Sequence, residues 1–289
     1  MRVLQVDAGR SMGGGQWQVL RLLRGLQAAG VETLLLARDG APLFERARSE
    51  GLPVAALSPL RWARMAAHFD LVHVHDARSH TWAAVIGRPF VVSRRVAFPV
   101  RRGWLSRWKY GQARHFIAVS HHVAEQLRQA GIPASKISVV YDGVPLLPCV
   151  AEGNTAVLAA GKLIELARES WPEAHPVSHL ENDLDGAAVM LYLSESEGLG
   201  SALLLAMSRG VTVVASDLPA IREVIEHGVS GMLVPNDAGV IRATLERLLE
   251  DHALRRSLAL AARRNVEQRF TEAAMVQQTL RVYGEQLHA

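Results

Sequence analysis

Residues 194–216 read Ser-Glu-Ser-Glu-Gly-Leu-Gly-Ser-Ala-Leu-Leu-Leu-Ala-Met-Ser-Arg-Gly-Val-Thr-Val-Val-Ala-Ser. An apolar run over residues 189–193 leads into them. The pattern predicts a buried strand, then a loop carrying Glu197, Gly198 and Gly200. A helix stopping near Gly210 and a second buried strand over 211–215 follow. Strand, loop, helix and strand in this order make one unit of a parallel sheet. The helix start offers free backbone N–H groups and the positive end of the helix dipole, which suit an anion. Glycines let backbone approach a ligand closely, and Glu197 is an acceptor for hydroxyls. Phosphate donors beside a hydroxyl acceptor suggest a sugar phosphate or a nucleotide sugar.

Upstream, residues 156–160 are expected as a strand that turns at Gly161 into a helix ending at Glu169. Periodicity then fails over residues 171–185, where prolines, histidines and acidic residues mix. Downstream, residues 219–227 are expected as a helix and 231–234 as a strand. Residues 236–250, 253–269 and 271–288 are expected as three helices. The first half alternates in the same way, with strands over 2–7, 31–37, 53–57, 71–75, 90–93, 117–119 and 136–141. A flexible turn over 11–15 precedes an amphipathic helix over 16–29. Ser120 caps another helix that closes at Gly131, and Asp142-Gly143 is a turn signal. The fold class is therefore α/β, with doubly wound parallel sheets and a linker near 145–153. Such sheets bind ligands beyond the carboxyl ends of their strands, here in a cleft between two domains.

The chain has 289 residues, 49% hydrophobic and 21% charged, which suits two globular domains rather than a disordered chain. No apolar run reaches the ~18 residues of a membrane span. The run over 3–6 is too short for a signal peptide. A single cysteine, Cys149, leaves no internal disulfide or Cys-based zinc site, and the cytoplasm is the expected location. No cluster has metal-ligand spacing. Charge is lopsided: residues 1–145 hold 20 Lys and Arg against 9 Asp and Glu, and the remainder holds 12 against 19. A basic first half suits an anionic acceptor or lipid surface, or is an arginine-rich solvated face. No nucleic-acid-binding module is legible. Residues 101–110 interleave Arg101, Arg102, Trp104, Arg107, Trp108 and Lys109. This segment suits an anionic membrane surface, giving a peripheral inner-membrane location. The alternative is that Trp104 and Trp108 pack as an i,i+4 pair on the core.

Several stretches in order resemble glycosyltransferase family 4. They are the Gly13-Gly14 loop, Val72-His73-Val74-His75-Asp76, Val91-Val92-Ser93-Arg94-Arg95-Val96, Ile117-Ala118-Val119-Ser120 and residues 137–144. The likeness continues through 194–216, Pro219-Ala220-Ile221-Arg222-Glu223-Val224-Ile225, residues 228–235 and the tail from Arg269 to Tyr283. The resemblance implies two Rossmann-like domains (the GT-B fold) and a retaining transfer from a nucleoside-diphosphate sugar, with no bound cofactor or metal. It implies an acceptor-side domain over 1–147, a donor-side domain over 148–270, and a last helix over 271–289 crossing back to the first. The acceptor would be a cell-envelope glycan or glycolipid.

By that resemblance Glu197, Lys162 and Arg95 are the candidate catalytic groups. Gly14, Gly15, Gly161, Gly198, Leu199 and Gly200 would bind the donor, and His75, Asp76 and Arg94 would line the acceptor side or support it. Three departures stand out. Leu205 occupies the place of a second carboxylate that in the family contacts the ribose. Lys162 stands alone where the family carries a basic pair, and residues 168–186 are too short for two further strands. The second sheet is accordingly expected to have about four strands. Arg94-Arg95 replace a histidine. These departures keep open a non-catalytic relative that binds a glycan, a lipid or a partner subunit.

Overall fold

The computed structural model describes residues 1–86, 89–100, 103–150 and 154–288. The chain forms two compact units, residues 1–142 with 272–289, and residues 143–271. The first unit begins β1 (Arg2–Asp7), α1 (Gly14–Ala28), β2 (Glu32–Ala37), α2 (Pro42–Ser49), β3 (Val54–Ala56) and α3 (Pro59–Ala66). It continues with β4 (Leu71–Val74), α4 (Ala77–Ile86), β5 (Phe90–Arg94), α5 (Trp104–Gln112), β6 (His115–Ala118), α6 (His121–Gln129) and β7 (Ile137–Val139). These strands form one sheet in the order β3-β2-β1-β4-β5-β6-β7, every pair parallel. The order reverses between β1 and β4, the switch point at which such sheets open for a ligand.

The second unit runs β8 (Ala156–Gly161), α7 (Ile164–Ser170), β9 (His175–Pro176), α8 (Leu180–Asp183), β10 (Ala187–Leu193), α9 (Ser201–Ser208) and β11 (Thr212–Ser216). Then come β12 (Met232–Val234), α10 (Ala238–Glu250) and α11 (His252–Arg269), and α12 (Glu272–His288) ends the described chain. Its sheet is parallel, in the order β12-β11-β10-β8-β9. Every residue of β10 is buried, as expected of a central strand covered on both faces.

The structure sharpens three expectations. The second sheet has five strands, because the aperiodic segment contributes a two-residue edge strand at His175 and Pro176 beside β8. Residues 219–227 are not a helix but linked turns, closed by Arg222 N–H donating to Leu218 and Ile225 N–H to Ile221. The apolar side chains Ile221, Val224 and Ile225 are buried there, so helical spacing reflects packing without helix. Helix α1 starts at Gly14 rather than Gln16, which makes Gly14 and Gly15 its first two residues.

Helix α12 belongs to the first unit. Val31, Leu71 and Val91 of the sheet side share a core with Leu22 and Leu26 of α1 and with Met275, Val276, Val282 and Tyr283 of α12. The helices α1 and α12 approach at Gly25, where an added Cβ would lie 2.3 Å from Val276 Cγ2. Gly25→Ala is therefore expected to destabilise the first unit by about 1–3 kcal/mol. Adding Val276→Ala should give a double variant that loses less than the two single losses combined, by ~0.5 kcal/mol or more. Urea unfolding of the four proteins in the cycle checks this.

Candidate functional site

In the second unit the carboxyl ends of β8, β10 and β11 carry the polar groups. Gly161 ends β8 at φ +98°, and a Cβ there would lie 2.1 Å from the Leu193 carbonyl oxygen. Only glycine fits. This close approach lets the Lys162 N–H donate to the Leu193 carbonyl at 2.7 Å. The Lys162 ammonium donates to the Ser196 carbonyl at 2.5 Å and lies 2.9 Å from Glu197 Oε1. Ser194 Oγ donates to the same carboxylate oxygen at 2.9 Å.

A clasp across three strand ends fixes the loop. The Ser194 N–H donates to Ser216 Oγ, Ser216 Oγ donates to Asn236 Oδ1, and Asn236 Nδ2 donates back to the Ser194 carbonyl. Glu197 keeps 14% of its side chain exposed and Lys162 57%. Tyr192, buried beside them, is raised above its ordinary value by burial and by the Glu197 carboxylate. Gly198, Leu199 and Gly200 are buried, and Gly200, at φ +92°, starts α9 without a side-chain cap. The arrangement offers a carboxylate, an ammonium and an uncapped helix start at one end of a sheet.

The first unit has its own cluster. Asp7 Oδ1 accepts from the Gly9 N–H at 2.7 Å, and Gln16 bridges the loop by donating to Asp7 and accepting from the Gly13 N–H. Asp7 is raised by burial and by the neighbouring Asp76 carboxylate. Asp76 itself accepts from the N–H groups of Ala8, Arg78 and Ser79, so it caps α4 and ties it to β1. Arg95 donates through Nε to Asp142 at 2.9 Å and through Nη1 to His75 Nδ1 at 3.1 Å. It also flanks the glycine turn: a Cβ on Gly15 would lie 3.9 Å from Arg95 Cδ. No group of His, Cys, Asp and Glu among the described residues could hold a metal ion. No helix among them is long and apolar enough to cross a membrane.

The profile named Glycosyltransferase Family 4 matches residues 12–146, and that named Glycosyl transferases group 1 matches residues 171–265. The chain belongs to glycosyltransferase family 4. It is similar to HepE from Anabaena, a crystal structure in complex with UDP and glucose, with a TM-score of 0.86. That alignment covers 98% of this chain and 99% of HepE at 16% identity, and it shows the GT-B fold. Among curated relatives, the amylovoran biosynthesis glycosyltransferase AmsK of Erwinia amylovora is 38% identical over 104 residues, 34% of this chain and 26% of AmsK. The alpha-maltose-1-phosphate synthase of Mycolicibacterium smegmatis is 31% identical over 179 residues, 58% of this chain and 43% of that enzyme. The chain thus spans from 26% to 43% of the length of these two relatives.

Within this family member the residues singled out by sequence divide into three groups. Gly161, Lys162, Glu197, Gly198, Leu199 and Gly200 lie together at one sheet end of the second unit. Gly14, Gly15, His75, Asp76 and Arg95 gather at the corresponding end of the first unit. Arg94 turns away from them, donating to Tyr110 Oη at 2.8 Å and to the Phe98 carbonyl, so it fastens α5 to β5. Leu205 is 3% exposed inside α9, among buried leucines.

The basic-aromatic segment splits as well. Arg101 and Arg102 lie outside the described residues. Trp104 is 78% exposed and Trp108 44%, so they do not pack on the core, and α5 buries no residue. Arg107 is exposed, whereas the Lys109 ammonium turns onto the Ala77 carbonyl. Sequence reasoning missed Gln5, His73, Asp142, Ser194 and Tyr283. The signal for Gln5, His73 and Tyr283 is a polar residue on an otherwise apolar strand or helix face, visible for Gln5 and His73 only once the register Gln5↔His73 is known. Asp142 and Ser194 lie outside any strand or helix.

His73, His75 and His80 are buried and all lie well below the ordinary histidine value. Burial is the main cause, reinforced by Arg95 for the first two, and His80 is lowered to about 3. The unfolded chain takes up protons near pH 6.5 that the folded one refuses. Their stability contribution is therefore present above about pH 6.5 and lost as pH falls, at up to roughly 1.4 kcal/mol per pH unit for each histidine. Asp7 runs the other way over the carboxylate range. Urea midpoints of the full chain at pH 7.5 and 5.0 should show the loss, and a His80→Leu variant should show a smaller one.

Proposed function

We propose that the chain is a retaining glycosyltransferase that moves a sugar from a nucleoside-diphosphate donor to a cell-envelope glycan or glycolipid. The observation that carries this reading is the Lys162–Glu197 pair at 2.9 Å, held beside the uncapped start of α9. Glu197 accepts from hydroxyls of the donor sugar. The backbone of Gly161, Gly198, Leu199 and Gly200 admits the donor closely. As the bond from sugar to diphosphate breaks, negative charge grows on the leaving oxygen, and Lys162 with the α9 amides stabilises it.

In the first unit, Arg95 and the Gly14 and Gly15 amides are the groups proposed to bind the donor's phosphate. His75 and Asp76 hold that site in shape, and Arg94 anchors α5. The donor is a substrate, and the chemistry draws on no resident cofactor. Relatives named for amylovoran, colanic acid and phosphatidyl-myo-inositol mannoside chemistry support an envelope acceptor. A cytoplasmic location fits such a donor. The exposed Trp104, Arg107 and Trp108 suit a peripheral place on an anionic membrane.

A second reading, a non-catalytic binder of a glycan, lipid or partner subunit, is favoured by Leu205, which accepts no hydrogen bond from a ribose. Calorimetry with uridine and guanosine diphosphates separates the two, and no binding at millimolar nucleotide rejects the transferase reading. Glu197→Gln is expected to lower turnover of the accepted nucleotide sugar about 10- to 150-fold, one charge-assisted hydrogen bond at ~1.5–3 kcal/mol. Unchanged turnover would mean another acid does the work. For the membrane face, sedimentation with phosphatidylglycerol vesicles at low salt should pull down the wild type and spare Trp104→Ser/Trp108→Ser. Equal behaviour of the two proteins rejects that face.

A further inference from the structure

A continuous line of buried hydrogen bonds runs from the C-terminal helix to Arg95. Gln5 Nε2 donates to Tyr283 Oη at 3.1 Å. Gln5 Oε1 lies 2.7 Å from His75 Nε2, and His75 Nδ1 lies 3.1 Å from Arg95 Nη1. Tyr283 Oη also lies 2.5 Å from His73 Nδ1, and His73 Nε2 lies 2.8 Å from Ser93 Oγ.

One assignment of protons satisfies all of them. A guanidinium only donates, so His75 Nδ1 accepts and its proton sits on Nε2, donating to Gln5. Gln5 then has only its amide N–H left for Tyr283, which in turn donates to His73. Turning the Gln5 amide over would place a donor against a donor at His75. The line is therefore directional, and it ends by holding one edge of Arg95. Asp142 holds Nε, and Nη2 has no partner among the described residues.

We infer that Tyr283, Gln5 and His75 are positioning residues that fix the Arg95 guanidinium so that its Nη2 edge is presented to an anion at the Gly13–Gly15 turn. The inference rests on the reading of Arg95 as a phosphate-binding group. A protonated His75 would turn an N–H toward the guanidinium and repel it, and burial with the nearby His73 and Arg95 keeps that proton off. Facing His75 are Gln5, His73 and Arg95. Behind them stand Tyr283, Asp142, Asp7 and Asp76.

The test is calorimetric titration of the full chain with uridine diphosphate. Arg95→Gln should weaken binding about tenfold or more, and Tyr283→Phe by roughly three- to tenfold. The double variant should bind no worse than Arg95→Gln, because Tyr283 acts through Arg95. A purely structural role predicts additive losses, and additivity overturns the inference. If Arg95→Gln binds as the wild type does, the anion role of Arg95 falls and the inference with it, while the donor reading at Glu197 stands.

Gln5→Glu supplies a second readout. A carboxylate beside Nε2 holds a proton on His75, so binding relative to the wild type should be weak at pH 7 and recover toward pH 9. A variant whose pH dependence matches the wild type overturns the inference. Should either variant fail to fold, the other carries the test.

Discussion

Gln5 and His73 sit opposite each other on neighbouring parallel strands, in the middle of a sheet covered on both sides. Polar groups placed there must find partners, because an unpaired one costs about 1–3 kcal/mol. Val3, Leu71 and Val91, on the same side of the sheet, are apolar and supply none. The partner the two share is the Tyr283 hydroxyl, brought in by α12 from the far end of the chain, while His75, just past β4, serves Gln5 and Ser93 of β5 serves His73. The first unit is thus built so that its sheet is closed by residues that follow the whole second unit. Gly25 of α1 leaves room for Val276 of α12, so the two helices pack closely beside these hydrogen bonds. Fold closure and the arrangement around Arg95 therefore share one set of contacts.

The second unit meets a similar demand with different means. Its central strands β8 and β10 carry no charged residue, and the charged groups begin only where they stop. There the chain crowds so tightly that Gly161 has no room for a Cβ. The crowding sets Lys162 against the Ser196 carbonyl and Glu197. Ser194, Ser216 and Asn236 tie the three strand ends together below them. A rigid base thereby carries a lysine that remains more than half exposed. Both cations are held on two sides, and the contrast with Arg95 is one of exposure, 57% for Lys162 against 14% for Arg95.

Legibility followed the range of the forces involved. Strand and helix positions come from local periodicity, and the strand runs of both halves stood out for that reason. The glycine turns were visible because a tight turn restricts residue type locally. Residues 219–227 misled because Ile221, Val224 and Ile225 have helical spacing while packing as turns. The edge strand at His175 and Pro176 is two residues long, too short for any period. Arg94 and Arg95 are adjacent and alike in sequence, yet neighbours on opposite sides of β5 separate them, one onto Tyr110 and one onto His75. Asp142, Ser194 and Tyr283 acquire their meaning from residues 22 to 278 positions away or from a neighbour across the sheet, and single-chain patterns carry no such information.

Leu205 bears on how far the chemistry departs from that of other family members. One lost charge-assisted hydrogen bond to a ribose is worth ~1.5–3 kcal/mol, roughly a 10- to 150-fold loss in affinity. Such a loss moves a micromolar ligand toward the millimolar range without abolishing its site. In exchange, the leucine adds an apolar side chain to a helix whose neighbours Leu203, Leu204 and Ala206 are already buried. A carboxylate there would have to stay near solvent or a ligand to avoid the cost of burial. Lys162 is more than half exposed, so its pair with Glu197 adds little to the fold and an anionic ligand would separate it cheaply. In the proposed transfer the pair would supply the charges that the breaking bond requires, whereas Leu205 would only scale affinity, so the proposal turns on the pair.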